Sequence, residues 1–450
     1  MDNVNVRQFI DDRPVSRHQF AILFLTFLVV AFDGLDVTII GLLAPEIIRD
    51  WGISKTEMGT VLSSVFVGMA IGAAIAGPIS DRYGRKLVLV ASVFWLGTLT
   101  FLSAFSPNIE VLLALRSLTG LGLGAAIPAA LALVAEYAPK RQRSLFVTIC
   151  FSGYTVGATL CGFLAAWLIS SYGWRVTLGI SGVLPMLLGV ALLFLLPESV
   201  AFLALKQRVG SIPGILLKID PQVSFSERAK FWLPIVAGEE SSSLRTLFAP
   251  KYAVTAVMLS LAYFLGVLVT YVIMGWLPVI TRDAGFSVAQ SSIIIALFNL
   301  AGPVGAISFG AVMDRLNPQR VLAVTFTTAG LLLASISIIP LEFATVCVTM
   351  LVLGFFHHGS MAGLQALAPQ SFPIAVSATG VSTMHAVGRL GAIISGVLGS
   401  VLISLGWEFG TIFIALAFPI LLCAASMAVI GITASRKVVE APAFDPKSPS

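Results

Sequence analysis

Charge is what this chain has least of. Only 11% of its 450 residues are Asp, Glu, Lys or Arg, and 57% are hydrophobic, against about 25% charged and about 45–50% apolar in a soluble domain. A water-soluble globular fold is excluded, and a mean hydropathy of +0.97 predicts a multi-spanning membrane protein. Cysteine is scarce too. Cys150, Cys161, Cys347 and Cys423 fall singly inside apolar segments, which excludes a disulfide framework, a metal cluster and a redox motif. No nucleotide loop, metal-ligand cluster or nucleophile triad is present, so nothing supports an enzyme or a bound cofactor. The pI near 9.1 does not point to nucleic acid, because the basic residues stand in loops beside apolar runs rather than in one patch.

What the chain has in abundance is long apolar sequence. Twelve segments stand out, at roughly 19–44, 57–79, 87–105, 109–135, 145–170, 175–196, 251–280, 288–312, 320–340, 343–368, 377–405 and 409–435, each long enough to cross a bilayer at about 1.5 Å per residue. The first is too long for a signal-peptide core and has no small-residue cleavage site after it, so it stays as helix 1. The fold expected is an all-α integral membrane protein of twelve transmembrane helices in two six-helix halves, 1–196 and 251–450. Residues 197–250, with their prolines, glycines and Ser241-Ser242-Ser243, read as a cytoplasmic linker carrying short amphipathic helices that lie at the membrane surface.

Lys and Arg set the topology. With the N-terminus inside, 21 of the 27 face the cytoplasm, four (Arg49, Lys55, Arg175 and Arg282) face outward, and Arg116 and Arg389 lie within spans; both termini are therefore expected in the cytoplasm. An internal repeat supports the two halves. Gly77-Pro-Ile-Ser-Asp81-Arg82-Tyr-Gly84-Arg85-Lys86 follows segment 2, and Gly310-Ala-Val-Met-Asp314-Arg315 follows segment 8. Their aspartates lie 233 positions apart, while Gly120 and Gly354, and Pro139 and Pro373, each lie 234 apart. Parallel repeats of this kind imply a binding site at mid-membrane between the halves.

The residues that break the apolar rule carry the chemistry. Asp33 and Asp36, three apart near the middle of segment 1, share a helix face, and each costs about 2.5–3.5 kcal/mol at a bilayer centre. Such a cost points to proton handling at a watery cavity, the alternative being a pair buried for structure. Arg116 and Arg389 stay charged at physiological pH and bind carboxylates through paired hydrogen bonds. An incoming carboxylate that competes for an arginine would free an aspartate to take a proton, a chemical basis for symport; a permanent Asp–Arg pair that orders the bundle is the other reading. His385, one turn before Arg389, and His358, Phe32, Tyr271, Asn299 and Gln365 are further substrate-site candidates. Tyr154, Tyr263, Trp276 and Phe298 are weaker aromatic ones.

The Gly-x-x-x-Asp-Arg-x-Gly-Arg-Lys pattern after segment 2, with twelve spans and a degenerate copy after segment 8, resembles the major facilitator superfamily. Within it the chain is similar to the aromatic acid:H+ symporters. That likeness rests on Asp33-Gly34-Leu35-Asp36, Leu115-Arg116-Ser117-Leu118-Thr119-Gly120, Glu136-Tyr137-Ala138-Pro139, Leu196-Pro197-Glu198-Ser199, Trp276-Leu277-Pro278 and Gly388-Arg389-Leu390-Gly391-Ala392.

The resemblance implies a proton-coupled importer of a small aromatic carboxylate, such as 4-hydroxybenzoate or protocatechuate. It would sit as a monomer in a bacterial inner membrane and use protons in place of a cofactor. It also implies a latch in which Gly77 lets helices approach, Asp81 pairs with a base or a helix N-terminus, Gly84 makes the turn, and Arg82, Arg85, Glu136, Asp314 and Arg315 complete the cytoplasmic gate. His357-His358 departs from the pattern, since those positions are expected to be small or apolar. A drug/H+ exporter is the alternative, but segment 5 lacks the Gly-Pro-x-x-Gly-Gly run of such exporters. A sugar symporter would have a Pro-Glu-Thr tail motif, and a sensor would carry a signalling domain; neither feature is found.

Overall fold

A computed structural model describes residues 3–207, 209–226, 229–232, 247–249, 251–372 and 374–439. Its long helices, numbered in chain order, are α1 (Arg17–Trp51), α2 (Lys55–Tyr83), α3 (Arg85–Ser103) and α4 (Ile109–Tyr137), then α5 (143–172) and α6 (174–195). There follow α7 (Ala253–Asp283), α8 (Val288–Met313), α9 (Pro318–Ser335), α10 (Phe343–Gln370), α11 (Ile374–Ser404) and α12 (Phe409–Val439). Ten helical stretches among the described residues are long and apolar enough to cross a membrane. One of these, Lys140–Leu195, runs through α5 and α6, which part at Gly173, whose φ of 77° breaks the helix. All twelve expected segments are thus helices, though α9 is only 18 residues long and dilutes its apolar face with Thr325, Thr327 and Thr328.

Local chemistry marks the ends. Ser16 with Gln19, and Ser54 with Glu57, form reciprocal capping boxes at the starts of α1 and α2, each satisfying two orphan backbone donors. Gly52 closes α1 in the left-handed conformation, at φ 63°. In α8 the helix breaks at Ala301, just before Gly302-Pro303, where proline removes a backbone donor.

The chain forms two compact units. The first holds Met1–Ala237, Tyr271–Leu300 and Ile393–Trp407, that is α1–α6 with the second part of α7, the first part of α8 and the end of α11. Here backbones meet at glycines, as expected where lipid removes the hydrophobic drive and close packing must hold helices together. A Cβ at Gly34 would stand 2.0 Å from the Tyr154 carbonyl oxygen, and one at Gly68 would stand 2.0 Å from that of Ser117.

In the same unit the strand Asn3–Asn5 pairs in parallel with Lys230–Trp232. The short helices Val6–Asp11, Val200–Leu205 and Ile212–Ile219 pack with it into an apolar cluster that includes Phe9, Phe202, Leu216 and Phe231. The apolar face of Ile212–Ile219 is therefore buried against protein, where the sequence suggested a face lying on the membrane. Ser241–Ser243 lies outside the described residues.

The second unit holds Gly238–Thr270, Ala301–Ala392 and Glu408–Ser450. Its helices also touch through glycines: Gly305 of α8 abuts the Phe355 carbonyl of α10, and Gly391 of α11 abuts that of Phe264 in α7.

Candidate functional site

Two aspartates one turn apart in α1 have opposite environments. Asp36 is enclosed with Arg116 of α4, at 1% and 0% side-chain exposure. Arg116 Nη1 donates to Asp36 Oδ2 at 3.1 Å and Oδ1 at 3.3 Å, while Nη2 donates to the hydroxyls of Thr100 at 2.7 Å, Ser103 at 3.3 Å and Thr119 at 3.2 Å. Each hydroxyl passes its own proton onward, Thr100 to Asp36, Ser103 to the Leu99 carbonyl and Thr119 to the Leu115 carbonyl. The charge is matched and both Nη nitrogens face acceptors, the Nε–H being left over.

Asp33 is equally buried, at 0% exposure, yet neither carboxylate oxygen has a hydrogen-bond partner among the described residues. The next residue, Gly34, is pressed against the backbone of Tyr154, which leaves no slack for that part of α1 to turn away. Sequence reasoning missed Thr100, Ser103 and Thr119. The signal was there: Thr100 and Ser103 are three apart in α3, and Thr119 follows Arg116 by three, so each pair shares a helix face.

Other candidates in the first unit surround this region without joining the ion pair. Phe32 is half-buried against the α1 core. The Tyr271 and Tyr154 hydroxyls lie 3.2 Å apart, and the Tyr271 ring stands 4.4 Å from that of Phe66. Asn299 is fully buried and donates through Nδ2 to the Ile295 carbonyl at 2.9 Å, leaving its Oδ1 without a partner.

In the second unit, His357 Nε2 and Thr270 Oγ1 are 2.7 Å apart, and His358 packs across Gly302. The His385 ring meets Tyr263 edge to face at 4.8 Å. One turn on, Arg389 is exposed and has no hydrogen-bond or ion-pair partner among the described residues. Gln365 is half-buried. No group of three or more His, Cys, Asp or Glu among the described residues is placed to hold a metal.

The basic motif builds a network at its end of the first unit. Arg85 Nη1 is 3.3 Å from Asp81, and its Nε is 3.0 Å from Glu136. Glu136 accepts from the Ser199 hydroxyl. Gly84, at φ 106°, turns the chain and leaves room for Glu198, whose Oε2 a Cβ would meet at 2.3 Å. Glu198 accepts from the Lys86 backbone at 3.0 Å and from the Ser199 backbone at 2.8 Å, and its carbonyl accepts from Tyr137 at 2.6 Å. Arg7 donates to the carbonyls of Ala135, Glu136 and Ala138, satisfying the orphan end of α4.

The sequence reading had no role for Glu198 or Arg7 in this network. Gly77, expected to allow close approach, has open space around it; the close contacts of α2 fall at Gly59, Gly68 and Gly72 instead. Among the described residues Arg82 reaches the Tyr83 ring alone, and Asp314 and Arg315 are exposed with no ion pair.

The comparisons with known proteins agree with this architecture. The Major Facilitator Superfamily profile matches residues 26–342 and 259–449. The chain is 42% identical over 417 residues to the gallate transporter of Pseudomonas putida, covering 92% of each. It is 38% identical over 435 residues to the 4-hydroxybenzoate transporter PcaK of Pseudomonas aeruginosa, covering 96% of this chain and 97% of that one. Among solved structures, the inward-open xylose transporter XylE of E. coli matches with a TM-score of 0.70 at 18% identity, over 91% of this chain and 96% of that one, a likeness of fold alone. The chain belongs to the Major Facilitator Superfamily, in the group that holds the gallate and 4-hydroxybenzoate transporters, and is a membrane transporter rather than an enzyme.

Proposed function

We propose that the protein imports a small aromatic carboxylate together with a proton, by alternating access, across a bacterial inner membrane with both termini in the cytoplasm. The substrate is a hydroxylated benzoate such as 4-hydroxybenzoate, protocatechuate or gallate, the class named for its relatives. The observation that carries the reading is the contrast between Asp33 and Asp36. Asp36 is neutralised in place by Arg116, whereas Asp33 is a buried carboxyl with no donor, so an arriving proton is the means of discharging it. This revises the part given to Arg116: its Nη donors are occupied, and it serves as the counter-charge that holds α1, α3 and α4 together.

The substrate carboxylate is assigned to Arg389, the span arginine without a partner among the described residues, with His385 one turn away to meet a ring hydroxyl or carboxylate oxygen. Protonation of Asp33 and capture of the anion leave no net charge to carry across, and a cavity that turns from one side to the other moves both. The network of Arg85, Glu136 and Glu198 steadies the cytoplasmic end, and the protein acts as a monomer.

The test is uptake of labelled aromatic acids into proteoliposomes under an inside-alkaline gradient. Asp33→Asn abolishes gradient-driven accumulation while substrate exchange survives, and Arg389→Ala loses binding. Expulsion of lipophilic cations, with no aromatic acid accumulated, would put an exporter in its place.

A further inference from the structure

Four charged residues at the far end of the first unit, opposite the basic motif, belong to none of the machinery above. Glu46 and Lys55 lie on either side of the α1–α2 turn, and Arg282 and Asp283 end α7. Lys55 Nζ is paired with Asp283 Oδ2, and Arg282 Nη2 is 3.9 Å from Glu46 Oε1. Arg49 also pairs with Glu46, and Arg282 donates to the Phe286 carbonyl at 3.2 Å. The pairs cross: a cation from α2 meets the anion of α7, and an anion from α1 meets the neighbouring cation of α7. Consecutive residues point about 100° apart on a helix, so turning the end of α7 by one residue would set like charges against each other. The arrangement therefore fixes the rotation of α7 as well as its closeness.

Beneath the charges lies a layer of close helix contacts. A Cβ at Gly41 would stand 2.5 Å from the Met274 carbonyl, and one at Gly59 would stand 2.8 Å from that of Gly396. Trp276 Nε1 donates to the Gly396 carbonyl at 2.9 Å, and the Val397 backbone donates to Ser63 at 3.2 Å. Below this layer a small cavity is lined by Val37, Ile40, Phe66, Tyr271 and Met274. Parts of α7 and α11 are thus closed over α1 and α2 by small-residue contacts, with paired charges at the rim.

We propose that Glu46, Lys55, Arg282 and Asp283 form the outer latch of the transporter, a crossed pair of salt bridges that sets how often the site opens to the outside. This rests on the topology given under Proposed function, which makes this end the outer one. Lys55 and Asp283 keep 33% and 52% of their side-chain surface exposed, so water and salt screen the pair. The latch therefore biases the equilibrium rather than locking it. Loss of one pair raises the outward-open population about two- to fivefold, and reversing one charge raises it further, because attraction becomes repulsion.

The experiment uses the full chain in intact cells, with Ile40→Cys as the reporter; Ile40 is 3% exposed beneath the layer. The readout is its initial rate of labelling by a membrane-impermeant maleimide added outside. Lys55→Asp and Asp283→Lys each speed labelling at least about two- to fivefold, and the double reversal returns it to the starting rate. Should a reversal fail to reach the membrane, Lys55→Gln and Arg282→Gln give the same direction with a smaller step. Unchanged rates in the single variants, or a double variant that labels as fast as the singles, overturn the latch. Labelling needs no substrate. A latch that behaves as described in a protein accumulating no aromatic acid stands, while the substrate assignment falls.

Discussion

Replacing Asp36 and replacing Asp33 by asparagine are chemically the same change one helical turn apart, yet they should have opposite consequences. Asp36→Asn removes the one carboxylate among the described residues that faces Arg116 and leaves a guanidinium, charged at any accessible pH, at 0% exposure. Breaking a buried pair from one side costs about 3–5 kcal/mol; the hydroxyls of Thr100, Ser103 and Thr119 keep the Nη2 bonds and hold the cost near the lower end. Asp33→Asn removes a charge that no donor stabilises and introduces an amide of the same shape, so its cost stays within about 1 kcal/mol, of either sign.

The assay is thermal unfolding of both variants in one detergent, followed by the near-ultraviolet signal of the buried tryptophans, with transport measured alongside. At roughly 1–2 °C per kcal/mol for a chain of this size, Asp36→Asn lowers the midpoint by about 5 °C, and Asp33→Asn leaves it within about 2 °C. The double variant Asp36→Asn with Arg116→Gln recovers most of the loss, since no uncompensated charge remains. If Asp36→Asn were as stable as the native chain while Asp33→Asn collapsed, the assignment of scaffold and coupling roles would be reversed.

Other substitutions check other links. Gly34→Ala drives a methyl to 2.0 Å from the Tyr154 carbonyl and costs at least about 1–3 kcal/mol as overpacking, whereas Gly77→Ala meets nothing within 4 Å and is neutral or gains up to about 1 kcal/mol in helix propensity; the same melting assay separates them. Glu198→Gln weakens the acceptor for the Lys86 and Ser199 backbone amides and should cost about 1–2 kcal/mol, seen as faster amide exchange at both. Arg13 donates to Asp220 at 2.7 Å and holds its carboxyl below the usual carboxylate range. A lowered pKa means that the contribution is complete above the unfolded value and fades as pH falls through the folded one. Amide protection of Val6–Asp11, corrected for intrinsic rates, should therefore be flat from pH 8 to 5 and drop only below about 4.

How much was legible beforehand varied with the physics involved. Apolar run length is a bulk property, so all twelve helices were readable. The boundary between segments 145–170 and 175–196 falls where the Gly173 dihedral breaks the helix. The cost of charge in lipid singled out Asp33, Asp36 and Arg116 without structure, and the i, i+3 spacing put both aspartates on one face. It could not say that Arg116 closes on Asp36 alone, because that depends on Thr100 and Ser103 arriving from α3. Gly77 was given a packing role on motif alone, and packing is settled by what lies opposite a glycine, which a single sequence does not encode. Glu198 was visible only as part of a Leu-Pro-Glu-Ser string; its work with Gly84 and Lys86 spans more than a hundred residues.

The pairing of Asn3–Asn5 with Lys230–Trp232 also bears on the order in which the protein is assembled. Within the chain the first strand precedes its partner by 227 residues. At about 5–20 residues per second the strand waits roughly 10–45 s. During that interval α1–α6 are all synthesised, and Arg7 has the end of α4 to bind long before the strand finds its mate. The clasp can close only around a finished set of six helices, which makes its closure a late checkpoint on the first half of the protein.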